Sequence, residues 1–145
     1  MILRQNAFGG TEKMLKGGLH CHTTRSDGRG TPEEVIRLHA AKGYDFLALT
    51  DHRIYNRRNF APETNLTILP GMEVDAYLTD IAHGSRCFHT VCIGPDDETN
   101  GFAQDDTVEG GSISCQREYQ PYLDQIHRKN NLTIYCHPEW SGTPA

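Results

Sequence analysis

The run Phe46-Leu47-Ala48-Leu49-Thr50 constrains the fold of this chain more than any other stretch. It is almost free of polar breaks, and it ends at Asp51-His52. That pattern fits a strand buried on both faces, as in a parallel sheet covered by helices. A helix is predicted just before it. Thr31 can cap, Pro32 suits the first helical position, Glu34 completes a capping box, and Gly43 is a natural end. Its buried face is expected to carry Val35, Leu38 and Ala41 or their neighbours. Leu15 to His22 reads as a strand ahead of this helix, so the chain opens with strand, helix, strand.

The alternation continues. Leu66 to Pro70 reads as a third strand, with Glu73 just beyond it, and Phe88 to Ile93 as a fourth. Residues 95–111 are rich in Asp, Gly, Asn and Thr, which suggests a long loop. Gln116 to Lys129 is a predicted helix whose first part Pro121 disturbs. Leu132 to Cys136 is the last predicted strand. Met1 to Met14 is polar and reads as a loose arm. Five strands alternating with at least two helices predict an α/β fold in one domain, residues 1–145, with an incomplete barrel as its architecture.

Composition narrows the function classes. The formal net charge is -5, which argues against a general nucleic-acid surface. No apolar run approaches the ~20 residues of a membrane span, and Met1 to Asn6 lacks the apolar core of a secretion signal. The five cysteines, Cys21, Cys87, Cys92, Cys115 and Cys136, are odd in number and show no CxxC spacing. Free thiols in a reducing cytoplasm are expected. The sequons at Asn65 and Asn131 are then chance matches.

The chemistry sits at the predicted strand ends, where parallel α/β folds carry their active sites. His20 and His22 lie one residue apart and share a face if they lie on a strand. His52, Glu73, His89 and His137 each fall beside another predicted strand, and Asp27 opens the turn Asp27-Gly28. Imidazole and carboxylate donors in this number point to Mn, Zn or Fe and to metal-assisted hydrolysis. His89 is preferred to His83, which sits in a turn-like context. His39 and His127 fall within predicted helices and read as packing or surface residues. Asp51 is expected to orient a ligand imidazole, as metal-bound histidines usually have such a partner. Arg25 and Arg53, more than Arg57 and Arg58, are candidate phosphate binders.

Leu19 to Gly28 resembles the first motif of the PHP (polymerase and histidinol phosphatase) superfamily. Leu49-Thr50-Asp51-His52 resembles the second, Gly71-Met72-Glu73 the third, and His137-Pro138 a later one. The resemblance implies a distorted (β/α)7 barrel with two or three divalent metal ions. His20 and His22 would hold the first ion, and Glu73 would bridge it to a second held by His89 and His137. Asp27 and His52 would hold a third. Glu73, His52 and Asp27 would form the catalytic group. The implied activity is hydrolysis of a phosphomonoester or phosphodiester in a small phosphorylated substrate, a nucleotide or an oligonucleotide end.

One departure stands out. The family pattern ends in an Asp-x-His motif, and the eight residues after His137 contain neither Asp nor His. The chain therefore resembles the N-terminal part of a longer protein, with its first and third metal positions each one ligand short. Self-association through an unclosed sheet edge is expected. A degenerate module that holds metal or phosphate without turnover is the alternative reading. An amidohydrolase is a weaker one, because Glu73 stands where that family usually relies on a modified lysine.

Overall fold

The computed structural model describes residues 14–80, 84–97 and 99–138. The strands β1 (Gly17–Gly18), β2 (Phe46–Ala48) and β3 (Thr67–Leu69) form a parallel sheet in the order β1-β2-β3, with helix α1 (Pro32–Ala41) between the first two. The capping box forms as the sequence requires. Thr31 Oγ1 accepts from the Glu34 N–H at 3.3 Å, and Glu34 Oε2 accepts from the Thr31 N–H at 2.9 Å. Lys42 ends the helix, and Gly43 turns the chain with φ 71°, a conformation that costs glycine little.

On α1, Val35 packs against the core as expected, and the rest of the buried face falls on neighbours of the residues named. Pro32 and Ile36 are buried and Ala40 is half-buried, whereas Leu38 is 54% exposed and Ala41 is exposed. Positions 32, 36 and 40 lie one above another at the four-residue spacing of a helix face. Ile36 packs with Leu47, Leu49, Ala61 and Leu66 to form the core beneath the parallel sheet. Burying such a side chain is worth roughly 1.5–3 kcal/mol.

Four strands form a second sheet: β4 (Gly71–Asp80), β5 (Gly84–Ile93), β6 (Gly111–Ile113) and β7 (Leu132–Tyr135), in the order β6-β4-β5-β7. β5 runs antiparallel to both β4 and β7, and β6 runs parallel to β4. Met72, Val74, Ala76 and Leu78 alternate onto one face of β4 and enter two apolar clusters. Helix α2 (Gln120–Arg128) covers that face through Ile126, with Tyr122 and Leu123 at its margin. Glu73 and Asp75, out of phase by one, fall on the opposite face. That face carries the site.

The sheet departs from the predicted parallel arrangement. The described residues contain seven strands rather than five, and they close no barrel. β4 is an addition to the predicted strands, the third of which, Leu66 to Pro70, stops short of Glu73 and Asp75. Their burial is offset by the histidines they face, described below. β6 emerges at the end of the predicted loop, and β5 begins at Gly84 rather than Phe88. Of the predicted strand Leu15 to His22, only Gly17–Gly18 joins the ladder. Pro121 falls in the first turn of α2, where a missing N–H is tolerated, behind a separate 3-10 turn, Gln116–Tyr119. The expected arm, residues 1–14, lies outside the described residues except for Met14, as does His83. No helix among the described residues is long and apolar enough to cross a membrane. All five cysteines are free thiols.

Candidate metal centre

A cavity of about 340 Å³ is lined by His20, His22, Asp27, His52, Glu73, His89 and His137. Glu73 lies at its floor, 1% exposed. One of its oxygens, Oε2, is 3.1 Å from His20 Nε2 and 2.8 Å from His22 Nε2. The other, Oε1, is 2.8 Å from His89 Nδ1 and 3.4 Å from His137 Nε2. The carboxylate thus divides two pairs of imidazoles between its two oxygens.

The backbone explains this convergence. β4 delivers Glu73, and its antiparallel pairing with β5 puts His89 directly opposite Asp75 and diagonal to Glu73. A parallel bridge sets His52 beside Glu73. The Cys136 N–H donates to the His89 carbonyl at 2.9 Å, so the end of β7 brings His137 alongside. His137 has φ 31°, an uncommon value for a residue with a side chain. His20 and His22 lie beyond the ladder of β1, yet their Nε2 atoms come within 2.9 Å.

Asp27 sits at the rim with its side chain 68% exposed; Oδ1 is 2.7 Å from His22 Nδ1 and Oδ2 is 3.7 Å from His52 Nε2. Buried Asp51 holds the loop that carries it. Asp51 Oδ1 accepts from the Thr23 N–H at 2.7 Å and the Ser26 hydroxyl at 2.9 Å. Asn56 Nδ2 donates to Asp51 Oδ2 at 3.0 Å. Asp51 therefore braces a loop and does not orient an imidazole. A further carboxylate, Asp75, which sequence reasoning missed, lies beside the His52 ring; its Oδ1 is 3.2 Å from His52 Nδ1. Two-residue spacing from Glu73 was the available signal, and it becomes readable only once 71–80 is known to be a strand.

The two candidate arginines are both engaged. Arg53 donates from Nε to Asp75 Oδ1 at 3.0 Å and from Nη2 to Oδ2. Arg25 donates to Asn56 Oδ1 and pairs with Asp105. Arg57 pairs with Asp96, and Arg58 lies over the Phe60 ring. His39 and His127 lie away from the cavity. His39 Nδ1 contacts the Val35 carbonyl and His127 Nε2 contacts Thr133 Oγ1.

The electrostatics are those of an anionic floor under imidazoles. Burial opposes ionisation of Glu73, but hydrogen bonds from His20, His22 and His89 outweigh it and hold the carboxyl well below its usual range. Asp75 is likewise held low against its burial by His52 and Arg53. Asp27 is lowered by its hydrogen bond with His22. Without a cation among these groups, hydrogen bonds to Cys136 and Glu73 push His20 up to about 10.

The donor set fits divalent ions. The donor atoms of His20, His22 and Glu73 lie within 4.8 Å of one another, as do those of His22, Asp27 and His52 and those of His52, Glu73 and His89. His52 Nδ1 is buried and makes no aligned hydrogen bond. Imidazole with carboxylate suits Zn, Mn and Fe.

The family model of the PHP domain matches residues 18–137. The chain belongs to the PHP domain family. A "5'-3' exoribonuclease" of Haemophilus influenzae is 36% identical over 63 residues, covering 41% of this chain and 23% of the relative. The "Phosphoribosyl 1,2-cyclic phosphate 1,2-diphosphodiesterase" of Eggerthella lenta is 32% identical over 89 residues, covering 59% of this chain and 33% of the relative. This PHP chain therefore matches no more than about a third of the length of either relative. A two-domain protein of Bacteroides vulgatus containing a predicted PHP-like metal-dependent phosphoesterase shares the fold. It has TM-score 0.51 and 23% identity, covering 89% of this chain and 36% of the other.

Proposed function

We propose that this PHP chain carries the metal centre of a phosphoesterase that hydrolyses a phosphomonoester or phosphodiester. The observation that carries the reading is Glu73, whose two oxygens face separate imidazole pairs across one cavity floor. A bridging carboxylate of this kind belongs to sites that hold two ions side by side. The PHP family membership and the phosphodiester substrates in the relatives' names support it.

His20 and His22 would hold one ion with Glu73, His89 and His137 a second with Glu73, and Asp27 and His52 a third. When bound, such ions supply Lewis acidity toward phosphate oxygens and make a water acidic enough to ionise near neutral pH. The residues themselves do the rest. Glu73, ionised throughout the working pH range, stays a pure acceptor. Asp27 Oδ2 at the rim takes the proton that the attacking water loses. As the new P–O bond forms and the ester P–O bond breaks, Asp27 passes that proton on to the leaving oxygen. Arg53, in a neighbouring hollow it shares with His52, supplies positive charge beside the phosphate, and Arg25 supplies it from the loop of Asp27.

The substrate we infer is a small phosphorylated metabolite, a nucleotide or an oligonucleotide end. The five free thiols suit the reducing cytoplasm as its location. Both candidate arginines already pair with carboxylates, and this favours, as the second reading, a module that holds metal without turnover.

The test is metal analysis combined with hydrolysis of chromogenic phosphomonoesters and phosphodiesters, with and without a chelator. The reading expects bound divalent metal and turnover that the chelator removes. Bound metal without hydrolysis of either ester class would leave the second reading standing instead.

A further inference from the structure

We propose that Asp75 is a positioning residue that fixes the His52 ring, with Nδ1 donating to Asp75 and Nε2 presented to the rim of the metal centre. The inference rests on the phosphoesterase reading only for its kinetic arm. Asp75 is 1% exposed, and a buried carboxylate is costly unless it is paired. Arg53 neutralises it from one side, and the His52 ring lies on the other at 3.2 Å. Two carboxylate oxygens lie near the buried Nδ1, Asp75 Oδ1 at 3.2 Å and Glu73 Oε2 at 3.7 Å. Glu73 Oε2 is already shared by His20 and His22. His52 Nδ1 makes no aligned hydrogen bond as the ring stands, and Asp75 Oδ1, which also accepts from Arg53 Nε at 3.0 Å, is the carboxylate oxygen nearest to it.

A neutral imidazole offers one N–H and one lone pair. If Asp75 takes the Nδ1 proton, the lone pair sits on Nε2. That is the atom facing Asp27 Oδ2, in the group His22, Asp27 and His52. The opposite assignment would put the Nδ1 lone pair against the Asp75 carboxylate, with no proton between two acceptors.

The backbone holds the arrangement in place. Arg53 has φ 62°, and its N–H donates to the Glu73 carbonyl at 2.7 Å. Gly110 covers it closely: a Cβ there would lie 2.0 Å from the Asp75 carbonyl oxygen and 2.7 Å from Arg53 Nε. β4 thus presents two acids on one face with different tasks. Glu73 faces the space between the imidazoles, and Asp75 holds a ring from behind.

Two measurements test this. In zinc-loaded, nitrogen-15-labelled protein, long-range proton–nitrogen NMR reads the state of each imidazole nitrogen. His52 is expected to be protonated at Nδ1 and coordinated through Nε2. In Asp75→Asn the charge is lost, and the amide NH2 meets a donor whichever way it turns: Arg53 Nη2 on one side, or His52 Nδ1 and Arg53 Nε on the other. Calorimetric titration with zinc alone is expected to show one ion bound roughly 10–100-fold more weakly, and kcat is expected to fall by a similar factor. His52 coordinated through Nδ1 in the wild type, or unchanged zinc affinity in a folded Asn variant, overturns the inference. If the variant does not fold, the wild-type spectrum decides alone. A protein that shows the expected His52 state but hydrolyses no phosphoester sinks the phosphoesterase reading and leaves the role of Asp75 intact.

Discussion

Replacing Glu73 with Gln is the most informative single perturbation of this protein. The side chain keeps its size, so the floor of the cavity keeps its shape. What changes is one full negative charge, 1% exposed, at 2.8 to 3.7 Å from five imidazoles. The amide also offers one acceptor where the carboxylate offers two, so it can serve one imidazole pair and not the other. Removing one partner of a buried charge pair costs roughly 3–5 kcal/mol. At ~1.4 kcal/mol per tenfold, that is about 10²- to 4 × 10³-fold in affinity for a cation held there. Zinc titrated calorimetrically into metal-free protein reads the loss directly, and circular dichroism checks that the variant is folded. Metal content after dialysis is expected to drop, and turnover with it. A folded Gln variant with full metal content and near-normal turnover would refute the bridging role of Glu73.

Other outcomes follow from the same geometry. In chelated protein, the raised His20 contributes stability that is complete below its ordinary value of 6.5 and is lost as pH rises through about 10; the melting temperature of metal-free protein is therefore expected to fall across that window, and saturating zinc, which competes with the proton, is expected to flatten the fall. Gly110→Ala drives a methyl group into the Asp75 carbonyl and the Arg53 side chain and is expected to cost roughly 1–3 kcal/mol in urea unfolding; an unchanged midpoint would show that this approach is not tight in solution. β7 pairs only with β5 among the described residues, and Leu132 and Tyr135 on it are 66% and 45% exposed. An open edge of this kind recruits other strands, so size-exclusion of the 145-residue chain is expected to show concentration-dependent dimers that Leu132→Lys suppresses.

Local rules were enough for much of this molecule. Thr31, Pro32 and Glu34 specify the start of α1 because a capping box uses only neighbouring atoms, and the apolar run from Phe46 specifies a buried parallel strand because almost no polar group in it needs solvent. The seven cavity residues were also legible one by one, since imidazoles and acids beside strands are costly to bury without a shared purpose. Tertiary structure decided what local rules could not. Local pattern puts Glu73 just past a strand and assigns Asp75 no role; the groups that balance their charge, His20, His22, His89 and Arg53, come from other elements. Asp51 and Asp75 are both acids close to His52, one next to it in sequence and one across a sheet. Only the packing of β4 against the loop after β2 decides which of them holds the ring, because a hydrogen bond depends on where atoms lie in space and not on their separation along the chain.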